Sequence, residues 1–267
     1  MKKIIASILM IFVCLSMFAG CGSKKEDWDY LQEKGKLVIG YTIYQPMNYE
    51  ENGELVGFDT EFAKAVCAEL GLTPVFQEID WEAKILDLND KTIDCIWNGF
   101  TVDDERKEQV DFTVSYLVNK QVAVIKKSNA DIYKTIEDMK DASFAAEVKS
   151  AGEKAFQTNS VIKDNKYNGM DYQSSVLVEV ASGNSDVGII DYVMAKATIG
   201  EGTSYEDLMI VEGVELAPEE YAIGFRKGSK VTLEKVNAAI QKLADNGKLA
   251  EIAEKYNLTD ELADSLK

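Results

Sequence analysis

The chain has no histidine in its 267 residues. Ser-His-Asp and Cys-His catalysis therefore cannot operate in it, and the usual zinc ligand sets lose their imidazole. Cysteine is scarce as well, at positions 14, 21, 67 and 95 with no CxxC pair, so the spacing points to no metal. Basic charge is outweighed, with 29 Lys and Arg against 46 Asp and Glu and a formal net charge of −17. Such a surface repels phosphate backbones, which argues against nucleic acid as a partner. Arginine is rare enough that Arg106 is the only one before residue 224. Long apolar runs are missing apart from one near the N-terminus, and at about a dozen residues it is too short to span a bilayer.

That run opens the chain. Lys2 and Lys3 precede Ile4–Val13, and the small residues Ala19-Gly20 end at Cys21, the pattern of a secretory signal over residues 1–20. Phe18-Ala19-Gly20-Cys21 resembles the bacterial lipoprotein processing site, where the cysteine thiol takes a diacylglyceride and becomes the first residue; a plain secretory signal or an uncleaved helix is the alternative. Two acyl chains would hold the protein at a membrane surface. Residues 21–34, polar at their start, read as a tether. Loss of Lys2 and Lys3 takes the net charge from −17 to −19. Only Cys67 and Cys95 then remain free to pair; both sit in apolar contexts and read as small buried residues, with a disulfide as the other possibility.

Beyond the leader, strand and helix patterns alternate. Residues 37–42 read as a buried strand, and "GELVGFDTEFAKAVCAELGL" as a loop and amphipathic helix with Asp59 and Thr60 as capping candidates, Phe62, Val66, Cys67 and Leu70 inward, and Gly71 as stop. "TPVFQEID" is a second strand, "WEAKILDLND" a short helix and "IDCIWNG" a third strand, which together imply a mostly parallel sheet covered by helices. Residues 85–99, "ILDLNDKTIDCIWNG", are echoed by 177–191, "LVEVASGNSDVGIID", with Asp94 and Asp186 in register. If this is more than chance, the molecule has two similarly built lobes whose strand ends, at Trp97-Asn98-Gly99 and at Ile189-Ile190-Asp191, face each other across a cleft. Extended segments around 116–120 and 214–220 carry the chain between lobes. The C-terminal helical pattern at Leu233, Val236, Ile240 and Leu243, broken at Gly247, returns to the first lobe. The expected division is 35–117 with 218–267 for the first lobe and 118–217 for the second.

The stretch "WNGFTVDDERK" follows the third strand. Asp103 can cap a helix whose first turn carries Asp104 and Glu105, and free N–H groups at such a start attract an anion. The acids work against a carboxylate there, so a cation must overrule them. Arg106 can grip a carboxylate through two hydrogen bonds, with Thr101 adding its hydroxyl and Gly99 letting a ligand approach the main chain. The competing reading is a capped surface helix in which Arg106 pairs with Asp103 or Asp104.

"GELVGFDTEFAKAVCAELGL", "GFTVDDERKEQVDFTVSY", "SDVGIIDY" and "LADNGKLAEIAEKY" occur in the order seen in the extracellular solute-binding proteins of polar amino acid ABC transporters, and the chain resembles that family over 36–258. The resemblance implies a type II periplasmic-binding-protein-like α/β fold: two open sheets joined by a two-segment hinge, closing on a free amino acid and docking on a membrane permease. It implies a monomer with no cofactor, no metal and no catalysis. Matched to the family's motifs, Arg106 and Thr101 would hold the ligand's α-carboxylate, and Asp191 its ammonium with the Gly99 carbonyl. The helix start at Lys149-Ser150-Ala151 resembles a phosphate-loop-like turn. The family usually has glycine and two hydroxyl residues there, so Ser150 keeps one hydroxyl while Lys149 replaces the glycine and puts the turn's geometry in question.

Family position makes Tyr44 and Trp81 the walls of the side-chain pocket, with Asn98 and Glu147 as polar contacts. Ordinary core packing competes for the two aromatics, and an exposed strand-end acid for Glu147. A carboxylate facing the ligand would favour a polar neutral or cationic side chain over an acidic one, although "GYTIYQP" lacks the aspartate common in binders of basic amino acids. Two other functions share this fold: a dehydratase acting on cyclic carboxylates, for which Glu147 is the candidate acid, and an amino acid sensor.

Overall fold

The computed structural model describes residues 27–267; the leader at 1–20 and the acylation expected at Cys21 lie outside the described residues. Strand β1 (Lys36–Tyr41) is the apolar run KLVIGY, buried from Leu37 onward, as a central parallel strand must be. A short antiparallel ladder of β2 (Tyr49–Glu51) and β3 (Glu54–Val56) leads into the helix Phe58–Leu70, which turns Phe62, Val66 and Cys67 inward. Gly71 stops that helix in the left-handed conformation, φ +68°, while Leu72 N–H reaches back to Cys67 O at 3.0 Å. Strand β4 (Thr73–Glu78) then pairs with β1 in parallel, and its proline, Pro74, is tolerated because β4 is the sheet edge. After the helix Lys84–Asn89 comes β5 (Cys95–Ile96), parallel to β1 on the other side.

The first sheet is completed by β6 (Val110–Phe112) and by a strand from far along the chain, β12 (Gly224–Arg226), in the order β4-β1-β5-β12-β6. Between them lies the second sheet, built from β7 (Leu117–Lys126), β8 (Phe144–Glu147), β9 (Tyr167–Met170), β10 (Val187–Asp191) and β11 (Leu208–Tyr221) in the order β11-β7-β10-β8-β9. Strands β7 and β11 run antiparallel, from Leu117 opposite Tyr221 to Lys126 opposite Leu208, and form both crossings between lobes. The helices Lys230–Asp245 and Lys248–Lys255 return to the first lobe, where Val236, Ile240, Leu243 and Leu249 join the core of Leu37, Ile39 and Phe62. Each such side chain contributes about 1.5–3 kcal/mol by burial.

The internal echo has a structural counterpart in its two aspartates. Asp94 accepts a hydrogen bond from Val38 N–H at 2.7 Å and returns its own N–H to Val38 O, while Asp186 accepts from Ser143 N–H at 2.8 Å and returns its N–H to Ser143 O. Each ties the entrance of one strand to its parallel neighbour.

Two expectations need correcting. Asp59 and Thr60 do not cap their helix, which begins after Gly57 with no side-chain cap; both are fully buried inside its first turn. Residues 27–34, expected to be tether, form a helix with Leu31 buried. Its anchor is Arg226, whose Nε and Nη2 donate to Asp27 at 2.9–3.1 Å while Nη1 donates to Leu88 O and Ile93 O. The partner lies 199 residues away, so the local polar composition gave no sign of it. Cys67 and Cys95 are both buried free thiols.

Candidate functional site

The cleft between the lobes is assembled mainly from strand ends. From the first lobe, the chain leaving β1 supplies Thr42, Ile43 and Tyr44, the turn after β4 supplies Trp81, and the loop after β5 supplies Asn98, Gly99 and Thr101, with Arg106 two residues into the helix Asp104–Gln109. From the second lobe, Glu147 ends β8, Ser150 and Ala151 open the helix Ala151–Thr158, Gln173 opens the helix Gln173–Ser182, and Asp191 ends β10. All of these line one narrow cavity, and all nine residues singled out in the sequence for ligand contact are among them.

The loop after β5 owes its shape to groups beneath it. Gly99 has φ +57°, and a Cβ there would sit 2.7 Å from the Tyr44 ring and 3.0 Å from the Tyr221 ring, so both conformation and space require glycine. Its N–H donates to Asp59 Oδ2 at 2.7 Å, and the Tyr116 hydroxyl donates to the same oxygen at 3.0 Å. Burial pushes the Asp59 carboxyl up to about 7 against the pull of those two donors. Asn98 is engaged by the protein itself: Oδ1 accepts from Thr42 Oγ1 at 2.8 Å, and Nδ2 donates to Thr42 O and Asn48 Oδ1 at 2.9 and 2.8 Å. Its amide shapes the wall and has no N–H left to offer a solute.

Arg106 has the helix-cap contacts but not the surface position that the competing reading gave it. Asp103 caps the helix by accepting Arg106 N–H at 2.8 Å, and its other oxygen lies 3.7 Å from Arg106 Nε. The guanidinium is nevertheless buried, stacked 4.8 Å over the Phe100 ring and steadied by Thr101 O, which accepts from Nη1 at 2.9 Å. Further N–H groups of the fork remain for a ligand in the cavity it lines.

Asp191 sits in a nest of neutral donors. Its Oδ1 accepts from Asn119 Nδ2 at 2.7 Å, Gln121 Nε2 at 2.6 Å and the Tyr221 hydroxyl at 2.6 Å, while Oδ2 accepts from Gln173 Nε2. Gln173 also accepts the Asp191 N–H at 3.1 Å. Asn119 and Gln121 donate as well to Glu219 Oε1, and burial and the neighbouring Asp191 hold the Glu219 carboxyl well above the usual carboxylate range. None of these supporting residues was singled out from the sequence. For Gln173 a signal existed: the offset that maps Ile85 onto Leu177 maps Trp81 onto Gln173, so the two occupy equivalent places in the two halves.

Tyr44 and Trp81 are both wall and core, each almost fully buried, with Trp81 edge-on to Phe100 at 5.8 Å. Glu147 is buried in the cavity rather than exposed, and burial together with Asp191 pushes its carboxyl up to about 8. Lys149 settles into the left-handed region, φ +58°, so the turn keeps a glycine-like shape without glycine. Ser150 caps the following helix by accepting Glu153 N–H at 3.1 Å, and Glu153 Oε2 accepts Lys149 N–H at 2.9 Å.

Compared with known proteins, the chain matches the model of the bacterial extracellular solute-binding proteins, family 3, over residues 37–259. It belongs to that family. This family 3 chain is 29% identical over 253 residues to the arginine-binding extracellular protein ArtP of Bacillus subtilis (strain 168), covering 93% of its own length and 96% of ArtP. It is 26% identical over 228 residues to the L-cystine-binding protein TcyJ of Escherichia coli (strain K12), covering 85% and 84%. Among solved structures, an ABC uptake transporter substrate-binding protein from Streptococcus pneumoniae with bound histidine superposes with a TM-score of 0.79 at 32% identity, over 88% of this chain and 97% of that one. The family 3 identity accounts for the two sheets and for a cleft lined from both.

Proposed function

We propose that this protein captures a free amino acid outside the cytoplasm by closing its two lobes on it, and delivers it to an ABC permease while held to the membrane through an acylated Cys21. The observation that carries the reading is that Arg106 and Asp191, one from each lobe, line the same buried cleft. A zwitterion supplies an anion for the first and a cation for the second, and only closed lobes serve both at once. Thr101 and the open N-terminus at Ser150 and Ala151 support the carboxylate end; the Gly99 carbonyl supports the ammonium end. We divide the chain into a first lobe of 35–117 and 218–267 and a second of 118–217, in keeping with the two sheets.

The side chain of the amino acid lies between Tyr44 and Trp81 with Glu147 beside it, which suits a polar neutral or cationic group. Micromolar affinity requires about 8 kcal/mol, and charge-assisted hydrogen bonds at about 1.5–3 kcal/mol each reach it with a few contacts at the two charged ends. The test is a thermal-shift and calorimetric screen against the common amino acids, cystine and small peptides. A true solute at a hundred times its dissociation constant stabilises the fold by about 2.7 kcal/mol, and silence across the panel removes the proposal.

A further inference from the structure

Beside Arg106, the two lobes touch through a group that no ligand contact accounts for. Lys84 stands in the first lobe and is buried, its Nζ donating to Trp81 O at 2.8 Å and lying 4.5 Å from the Trp81 ring centre. The same Nζ reaches across the cleft to the main-chain carbonyl of Lys149 at 3.4 Å, and Arg106 Nη2 reaches that oxygen at 3.4 Å too. The carbonyl is presented at a sharply turned position: Lys149 carries a side chain at φ +58°, a left-handed region that favours glycine.

 The residue that pins it is Glu153, whose Oε2 accepts the Lys149 N–H at 2.9 Å. Such strain persists where the surroundings hold it and where it serves a site. Here it aims one carbonyl oxygen at two first-lobe cations.

Resting on the amino acid reading above, we propose that Lys84 is a closure residue: its ammonium stays on Trp81 O in either state and clasps the Lys149 carbonyl when the lobes meet, setting how long a bound amino acid is retained. The two partners belong to different lobes, so opening must part them while the contact to Trp81 survives. A second inter-lobe contact, Lys154 to Asp103 at 3.2 Å and Glu105 at 3.5 Å, lies at the cleft mouth with Lys154 nearly half exposed, where water and salt weaken it. Lys84 is shielded from both. Burial, with Arg106 next, brings the Lys84 amine down to about 7, in keeping with a group that has exchanged water for two carbonyls.

Stopped-flow fluorescence tests this, because Trp81 lines the cleft and reports solute entry. L-arginine, L-glutamine, L-histidine and L-cystine serve as probes of the wild type, Lys84→Met and Lys84→Gln. Met keeps the stem on the Trp81 ring, and Gln can still donate to Trp81 O while falling short of Lys149 O. Both variants should release the bound probe about five- to tenfold faster, with an unchanged association rate, a ligand-free unfolding midpoint that Gln preserves, and a more open ligand-saturated form in small-angle scattering. Release at the wild-type rate in either folded variant, or a loss confined to association, overturns the proposal. If the wild type binds none of the probes or any other amino acid, the functional reading fails first, a separate result.

Discussion

Tyr44 and Tyr221, 177 positions apart, join hydroxyls at 2.9 Å, and Tyr221 passes the chain on to Asp191 Oδ1 at 2.6 Å. One hydrogen-bonded line therefore runs from a wall of the cleft in the first lobe, through a hinge strand, to the carboxylate of the second. Tyr221→Phe cuts it in the middle and leaves the buried Tyr44 hydroxyl without its partner. The expected loss is about 1–3 kcal/mol of stability, read from urea unfolding, with a several-fold weaker amino acid affinity because Asp191 has lost a donor. A variant as stable and as tight as the wild type would show that the line carries nothing.

Arg106→Lys keeps the charge but not the planar fork, and should weaken amino acid binding by at least about tenfold. Near-normal affinity by calorimetry would remove the carboxylate assignment. Asp191→Asn should weaken amino acids far more than their deaminated analogues. The structure adds a condition: four neutral donors converge on Asp191, so an amide there forces Gln173 to turn, and folding must be checked in parallel.

Glu147 makes a prediction in pH. Burial raises its carboxyl from an ordinary 4.5 to about 8, so between those values the folded state holds a proton that the unfolded chain has lost. Its contribution to stability is full below 4.5 and disappears as pH rises through 8. Glu147→Gln removes that dependence, and the ligand-free variant should gain on the wild type in thermal midpoint from pH 5 to pH 8. A smaller slope of the same sign remains from Asp59, which is raised to about 7. Parallel curves for the two proteins would contradict the assignment.

Asp27→Ala should destabilise by about 3 kcal/mol, since it strips a buried guanidinium of its main carboxylate partner. Arg226 keeps the Leu88 and Ile93 carbonyls and a longer contact to Asp94 at 3.4 Å, which limits the damage. Chemical denaturation reads the cost, and amino acid affinity should not move. A loss no larger than that of an exposed pair would mean the N-terminal helix is not held by this bridge.

Periodicity and capping patterns marked the turn that carries Gly99, Thr101 and Arg106 and the strand end at Asp191, whereas Tyr44, Trp81, Asn98, Glu147 and Ser150 were legible through the family resemblance. The echo made the two halves commensurate, and Asp94 and Asp186 show why, each tying a strand entrance to its neighbour. Local reading failed where one residue serves another far away. Asp59 looks like a cap because it is an acid at the start of an amphipathic run, yet its carboxylate holds Gly99, 40 positions on. Family position makes Asn98 a polar ligand contact, yet Thr42 and Asn48 engage its amide.

By itself the sequence determined the alternation of strands and helices, the two-lobed plan, and the placing of Trp97-Asn98-Gly99 and Ile189-Ile190-Asp191 at equivalent strand ends, with Arg106 in the helix that follows the first, because these follow from apolar spacing and turn chemistry within short windows. Only the tertiary structure decided which neutral donors surround Asp191, that Glu219 shares them, that Lys149 adopts a left-handed backbone, and that Lys84 and Arg106 meet its carbonyl. The contacts among them join atoms from residues 18 to 100 positions apart, where a hydrogen bond of about 3 Å is set by packing of whole elements rather than by any pattern along the chain.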